Sequence, residues 1–159
     1  SMLGPDGERW VPVHGFLPHS KLVEAWERLQ ALWADNAAAM ARLQVETGAL
    51  IAATGRTSCL IEPVFFWPGE HNPLHRQAIE PDHMAKLSSA PDNPEANALV
   101  MELREQVIAI FRELGAIHLQ IARAYPLKQS HDPAAWAMLE ALKRQVDPNG
   151  LMNPGSLGL

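Results

Sequence analysis

The ten residues Ser58–Trp67, reading Ser-Cys-Leu-Ile-Glu-Pro-Val-Phe-Phe-Trp, constrain the fold of this chain more than any other stretch. Branched and aromatic side chains suit a pleated, half-buried surface, and Pro68-Gly69 halts the run. The expectation is a strand, with Pro63 placing it at an edge or a bulge because proline has no N–H to give to a ladder. Residues 10–18, apolar and bounded by prolines, predict an opening edge strand.

Helical patterns lie between these runs. Ser20 can cap a helix in which Leu22, Trp26, Leu29 and Trp33 recur on one face, which is read as core. Residues 35–48 read as further helix, with Met40 and Leu43 on one side and Gly48 as the stop. Asn93-Pro94-Glu95 supplies a cap, a first-turn proline and a first-turn acid. Leu99, Leu103, Val107, Ile110 and Leu114 follow, with Gly115 just past the end. Residues 117–122 alternate as a strand, which puts His118 and Gln120 on one face. Asp132-Pro133 opens a last helix through Trp136, Leu139, Leu142 and Val146, and Asp147-Pro148 ends it.

Strands separated by long helices, with no glycine-rich turn from strand to helix, argue for α+β architecture: an antiparallel sheet with helices packed on one face. Residues 68–93 are dense in proline and weakly periodic, and read as a long functional loop, the first candidate for a lid. With 159 residues, 47% of them hydrophobic, one domain with a real core is the default. The net charge of −5 leaves no basic surplus for nucleic acid or an anionic membrane surface. No run of about 20 apolar residues is present to span a bilayer. Cys59, the single cysteine, excludes an internal disulfide and is read as a buried structural thiol in a cytoplasmic, reducing setting.

The tail carries the most specific pattern. Residues 142–155, Leu-Lys-Arg-Gln-Val-Asp-Pro-Asn-Gly-Leu-Met-Asn-Pro-Gly, combine a helix stop, a glycine suited to a left-handed turn at Gly150, and a second turn at Asn153-Pro154-Gly155. This run resembles the closing signature of the vanillyl-alcohol-oxidase superfamily of FAD-linked oxidases. There it takes the form Lys, a few residues, Asp-Pro, Asn or Asp, Gly, two apolar residues, Asn-Pro-Gly. Residues 61–67 and 10–18 look like strands of that superfamily's C-terminal domain, so the likeness runs over nearly the whole chain.

The resemblance implies a ferredoxin-like cap domain, occupying residues 1–159, that covers the isoalloxazine ring and supplies most of the substrate pocket. FAD would then be held mainly by an N-terminal domain or a companion chain that this sequence does not contain, and the chain alone is expected to be inactive. Ser1-Met2 looks like a cleavage remnant before a start methionine. The substrate expected first is a small 2-hydroxy acid, as in relatives resembling glycolate oxidase and D-lactate dehydrogenase. A para-substituted phenol is the alternative within the superfamily, and a non-catalytic α+β binding module the alternative outside it.

Residues 115–128 occupy the place where hydroxy-acid dehydrogenases of the superfamily often carry Ser-Gly-Glu-His-Gly, and that motif is missing here. His118 remains a candidate base for the substrate hydroxyl, since an imidazole titrates near neutral pH. Arg123 and Lys128 are candidates for a substrate carboxylate, and Gln120 and Tyr125 for further substrate contacts. Asn153 is the candidate nearest the flavin, where a side-chain amide can pair with the polar edge of the ring. Glu70, His71 and His75 have a spacing that on a helix would suit zinc, but Pro68, Asn72 and Pro73 argue against that helix, and no metal is expected. His14 beside Gly15 is open between a structural and a pocket role.

Overall fold

The computed structural model describes residues 2–119, 123, 125 and 127–159. In chain order its strands and helices are β1 (Met2–Leu3), β2 (Arg9–Pro12), β3 (Gly15–Pro18), α1 (Leu22–Asp35), α2 (Ala37–Arg42), β4 (Glu46–Thr54), β5 (Ser58–Trp67), α3 (Pro73–Ala78), α4 (Pro81–Met84), α5 (Pro94–Glu113) and α6 (Pro133–Val146).

The sheet is antiparallel and β5 lies at its centre. β4 runs along one side of β5 from Glu46↔Phe66 to Thr54↔Ser58, while β2 and β3 run end to end along the other. Their registers are continuous: Pro12 faces Val64 and Gly15 faces Ile61, so Val13 and His14 fall opposite Pro63 and Glu62. Residues 9–18 are therefore one strand, interrupted where its neighbour is a proline. Val13 N–H still donates to the Pro63 carbonyl at 2.9 Å, but proline has no N–H to return the bond.

This corrects the expectation for Pro63, which sits in the central strand rather than at an edge. The chain tolerates it there because only one ladder bond is forfeited. Residues 35–48 are corrected as well. The helix breaks at Asn36 (φ −106°, ψ 5°), α2 ends at Arg42, and Gln44 turns the chain at φ 55° into β4, a strand the sequence did not announce.

Beyond β3 the fourth position of the sheet is started by Ile117. Phe16 and Ile117 exchange both backbone bonds, at 2.8 and 3.1 Å. With α1 between β3 and β4, and α5 between β5 and Ile117, the order is that of a split βαβ, ferredoxin-like arrangement.

One face of β5, comprising Cys59, Ile61, Pro63, Phe65 and Trp67, is fully buried. It meets the apolar side of α5, made of Val100, Leu103, Val107 and Phe111, and Trp67 Nε1–H donates to Asn97 Oδ1 at 2.7 Å. Gly15 is required at the crossing, because a Cβ there would stand 2.9 Å from the Phe111 ring. Ala25, Leu29 and Leu32 of α1 complete the core, with Trp26 and Trp33 packed against its margin. The other sheet face is only half-covered, and Trp10 stacks there on Phe66 at 6.5 Å.

Local signals account for the starts of α5 and α6, whereas α1 starts after Lys21 with no side-chain cap, not at a capping Ser20. Asn93 Oδ1 accepts from Ala96 N–H at 3.0 Å and Asp132 Oδ1 from Ala134 N–H at 2.8 Å, each before a first-turn proline. Cys59 is buried as expected, and burial pushes its thiol up in pKa. Among the described residues no helix is long and apolar enough to cross a membrane.

Candidate functional site

The edge of the sheet at His14 organises the site. After Phe16↔Ile117, a regular ladder would pair His14 with Leu119, but the chain leaves that path and side chains take over the bonding. Leu119 N–H donates to His14 Nε2 at 2.7 Å. The backbone N–H of His14 donates to Tyr125 Oη at 3.2 Å, and the His14 carbonyl lies 2.6 Å from His118 Nδ1. His14 Nδ1 is 3.0 Å from Tyr125 Oη.

The protons in this cluster follow from its partners. A main-chain N–H can only donate, so His14 Nε2 is an acceptor and His14 Nδ1 carries the hydrogen toward Tyr125. A carbonyl can only accept, so His118 Nδ1 carries its ring hydrogen and Nε2 keeps a lone pair. That Nε2 is buried and, among the described residues, has no hydrogen-bond partner. Burial lowers the pKa of both imidazoles, for His14 with added repulsion from His118, and for His118 against the opposing pull of the His14 carbonyl. Burial also raises the phenol of Tyr125. The Tyr125 ring stacks on His118 at 4.3 Å and lies 5.9 Å below the Arg104 guanidinium.

Two adjoining hollows share Tyr125 and Leu127 as walls. The smaller, about 210 Å³, is lined by Ile117, His118, Ser130 and His131 as well. The larger, about 690 Å³, lies between α5 and the tail, with Arg112, Arg123 and Lys128 on its walls together with Glu105. Arg123, Tyr125 and Lys128 are thus brought together, while His118 stands in the neighbouring hollow. Arg123 Nη2–H donates to the Pro154 carbonyl, which ties the segment to the tail. Lys128 is engaged by Glu140 at 3.1 Å and sits 5.5 Å over the Trp136 ring, so it is the less available cation. Arg112 was not expected here and had no local signal to mark it.

Asn153 lies apart from these hollows, beside a third of about 200 Å³ that includes Lys143 and Asp147. Asn153 is exposed and left-handed (φ 47°), and its carbonyl accepts from Ser156 N–H at 3.0 Å. Gly150 (φ 62°) and Gly155 (φ 74°) take the turns expected of them. The tail is held by Asp147: Oδ1 accepts from Leu151 N–H at 2.9 Å, and Oδ2 from Met152 N–H at 3.0 Å and from Lys143 Nζ at 2.5 Å. These donors hold the Asp147 carboxyl below its ordinary pKa, Lys143 foremost.

Gln120 lies outside the described residues, as does half of the strand expected over 117–122, of which Ile117 forms a single bridge. The Glu70, His71 and His75 spacing does not make a metal site. His71 Nε2 bonds the Gly7 carbonyl at 3.0 Å, and His75 Nδ1 accepts from Asn72 N–H at 3.1 Å as half of the capping box that opens α3. Among the described residues no group of three or more His, Cys, Asp or Glu is placed to hold a metal. The long loop expected over 68–93 is corrected too: it contains α3 and α4, and it bonds the first turn through His71 and through Ser88 N–H on the Asp6 carbonyl at 3.1 Å.

Compared with known families, residues 121–157 match the model described as FAD linked oxidases, C-terminal domain. The match covers α6, the Asp147 turn and the Arg123, Tyr125 and Lys128 walls of the larger hollow. Neither the curated proteins nor the solved structures yield a match.

Proposed function

We propose, from the match of residues 121–157 to the model of FAD linked oxidases, C-terminal domain, that residues 1–159 form the substrate-side domain of an oxidoreductase acting on a small 2-hydroxy acid. The observation that carries the reading is the buried His118 Nε2, a lone pair without a partner among the described residues, one wall away from a hollow lined by Arg112, Arg123 and Lys128. A base and an anion clamp are what alcohol oxidation next to a carboxylate requires.

On this reading the chain covers the ring side of a flavin. The amides that open α3, α5 and α6 are partly taken by Asn72, Asn93 and Asp132, which makes those helix starts less ready to hold a diphosphate. A companion FAD-binding domain would hold the phosphates, and Asn153 would meet the polar edge of the ring. When bound, the flavin supplies the acceptor for the hydride that leaves the carbinol carbon. His118 Nε2 takes the hydroxyl proton as that C–H bond breaks and the C=O bond forms. Arg123 holds the carboxylate in two-point contact, with Tyr125 and Lys128 completing the wall.

The test is anaerobic flavin bleaching in the full-length, flavin-loaded protein. Lactate, glycolate or 2-hydroxyglutarate should reduce it, and His118→Gln should slow reduction by about 10²-fold or more. Bleaching by 4-cresol or vanillyl alcohol alone transfers the reading to phenol oxidation, and an unaltered rate in His118→Gln removes the base.

A further inference from the structure

We infer that His14 is a positioning residue that holds His118 in the tautomer with Nδ1 protonated and Nε2 open. The inference rests on the reading of His118 as the base and adds a residue on the far side of the sheet edge to that site.

The geometry reaches His118 from three directions, all from one residue. The His14 carbonyl accepts the His118 Nδ1 hydrogen at 2.6 Å. The His14 imidazole accepts the main-chain N–H of Leu119, the next residue in the chain, at 2.7 Å. Through Nδ1, 3.0 Å from Tyr125 Oη, it also anchors the phenol whose ring lies against the His118 ring at 4.3 Å and 22°. His14 is 3% exposed, so these bonds do not compete with water.

Fixing an imidazole's tautomer through a bond to its other nitrogen is the general way a histidine is aimed at its task. Usually a carboxylate or a carbonyl does this alone. Here the carbonyl fixes the proton while the side chain of the same residue fixes the backbone and the stacked ring. Without the imidazole, Leu119 N–H loses its acceptor and Tyr125 keeps only the backbone N–H of His14, so the His118 ring is held less firmly against the His14 carbonyl.

The experiment reads the His118 ring directly. In 15N-labelled chain at pH 7.5, long-range nitrogen–proton correlations should show His118 as the Nδ1–H form. His14→Leu should bring in the Nε2–H form, whereas His14→Gln, whose amide can both accept from Leu119 and donate to Tyr125, should preserve the wild-type pattern. Should His14→Leu fail to fold, Tyr125→Phe provides the second reading: it keeps the ring stack, removes the Nδ1 acceptor and should mix the tautomers in part. An Nε2–H form in the wild type, or an unchanged pattern in a folded His14→Leu or Tyr125→Phe, overturns the inference.

In the flavin-loaded full-length protein, His14→Leu should lower kcat at least tenfold with little change in KM and move the acid limb of the kcat profile, and His14→Gln should restore both. His118→Gln separates the two ideas. If it leaves the rate unaltered, the base assignment fails, while the hold of His14 on the His118 tautomer still stands or falls on the nitrogen spectra.

Discussion

Replacing Tyr125 by Phe removes one oxygen and, by the proton assignment above, takes that acceptor from two donors of His14. The phenol oxygen accepts the backbone N–H of His14 at 3.2 Å and the Nδ1–H of the same residue at 3.0 Å. His14 cannot escape by changing tautomer, because Leu119 N–H keeps Nε2 as an acceptor. Each buried donor left without a partner costs about 1–3 kcal/mol. Some of the total is returned, since the phenol hydroxyl itself no longer has to be desolvated, and the stack on His118 and the contact with Arg104 survive in the Phe ring. The expected loss is about 2–4 kcal/mol, a large part of the ordinary stability of a domain. Urea unfolding followed by tryptophan fluorescence at pH 7.5 should show the midpoint falling with an unchanged slope, and Tm should fall by about 5–15 °C. A loss below about 0.5 kcal/mol would mean that the two donors find water or another acceptor, and the proton assignment in the cluster would be wrong.

Acid should weaken the fold in a window set by the two imidazoles. Both have pKa values lowered from 6.5, so as pH falls through 6.5 the unfolded chain binds protons that the folded chain refuses. Stability should decline by up to about 1.4 kcal/mol per pH unit for each histidine and level off once the lowered folded values are passed. His118→Gln should remove one of the two contributions, and a flat urea midpoint between pH 7 and 5.5 contradicts the burial argument. Asn93→Ala should cost about 1 kcal/mol by uncapping α5, measured in the same assay. Asp147→Ala should leave the core unfolding cooperative while the Leu151 and Met152 amides lose protection from hydrogen exchange. Undiminished protection there would mean that the turn is held by its glycines alone.

Residues that act on their near neighbours were legible in the sequence. Asn93 and Asp132 bond amides two and three positions on, and Gly150 and Asn153 turn the chain where their own φ values allow it. What depended on distant partners was not legible. β4 carries an alanine-rich, weakly patterned run whose strand character comes from pairing with β5, and Leu50 and Ile51 remain exposed at that edge. Pro63 misled because a proline reads as an edge residue until its neighbour is known to be Val13, which needs only the Pro63 carbonyl. The histidine spacing at His71 and His75 invited a metal, yet each ring is bound locally or to Gly7, and nothing in the spacing distinguishes a capping imidazole from a ligand. Arg123 and Lys128 were legible as charges, but not that Glu140 occupies one of them. His14 meets His118 and Tyr125 across separations of 104 and 111 residues, which no local pattern encodes.

The tail gains a physical meaning from these contacts. Asp147 ends α6 and gathers Lys143 one turn back and the amides of Leu151 and Met152 ahead, while Lys143 Nζ also reaches the Met152 carbonyl at 2.5 Å. A lysine, an aspartate four residues later and a left-handed glycine three beyond that are thus a single closed unit, and each residue type is dictated by the bond it makes. The unit does little for the core. Leu142, Val146, Leu151 and Met152 are all more than half exposed, and Trp136 is the buried apolar anchor of α6. Its effect is to hold Pro154 and Gly155 where Arg123 can bind the Pro154 carbonyl and where Gly155 closes the larger hollow. On the proposed function the tail bears on activity through Arg123: a loosened Asp147 turn should weaken anion binding in the hollow before it weakens the fold.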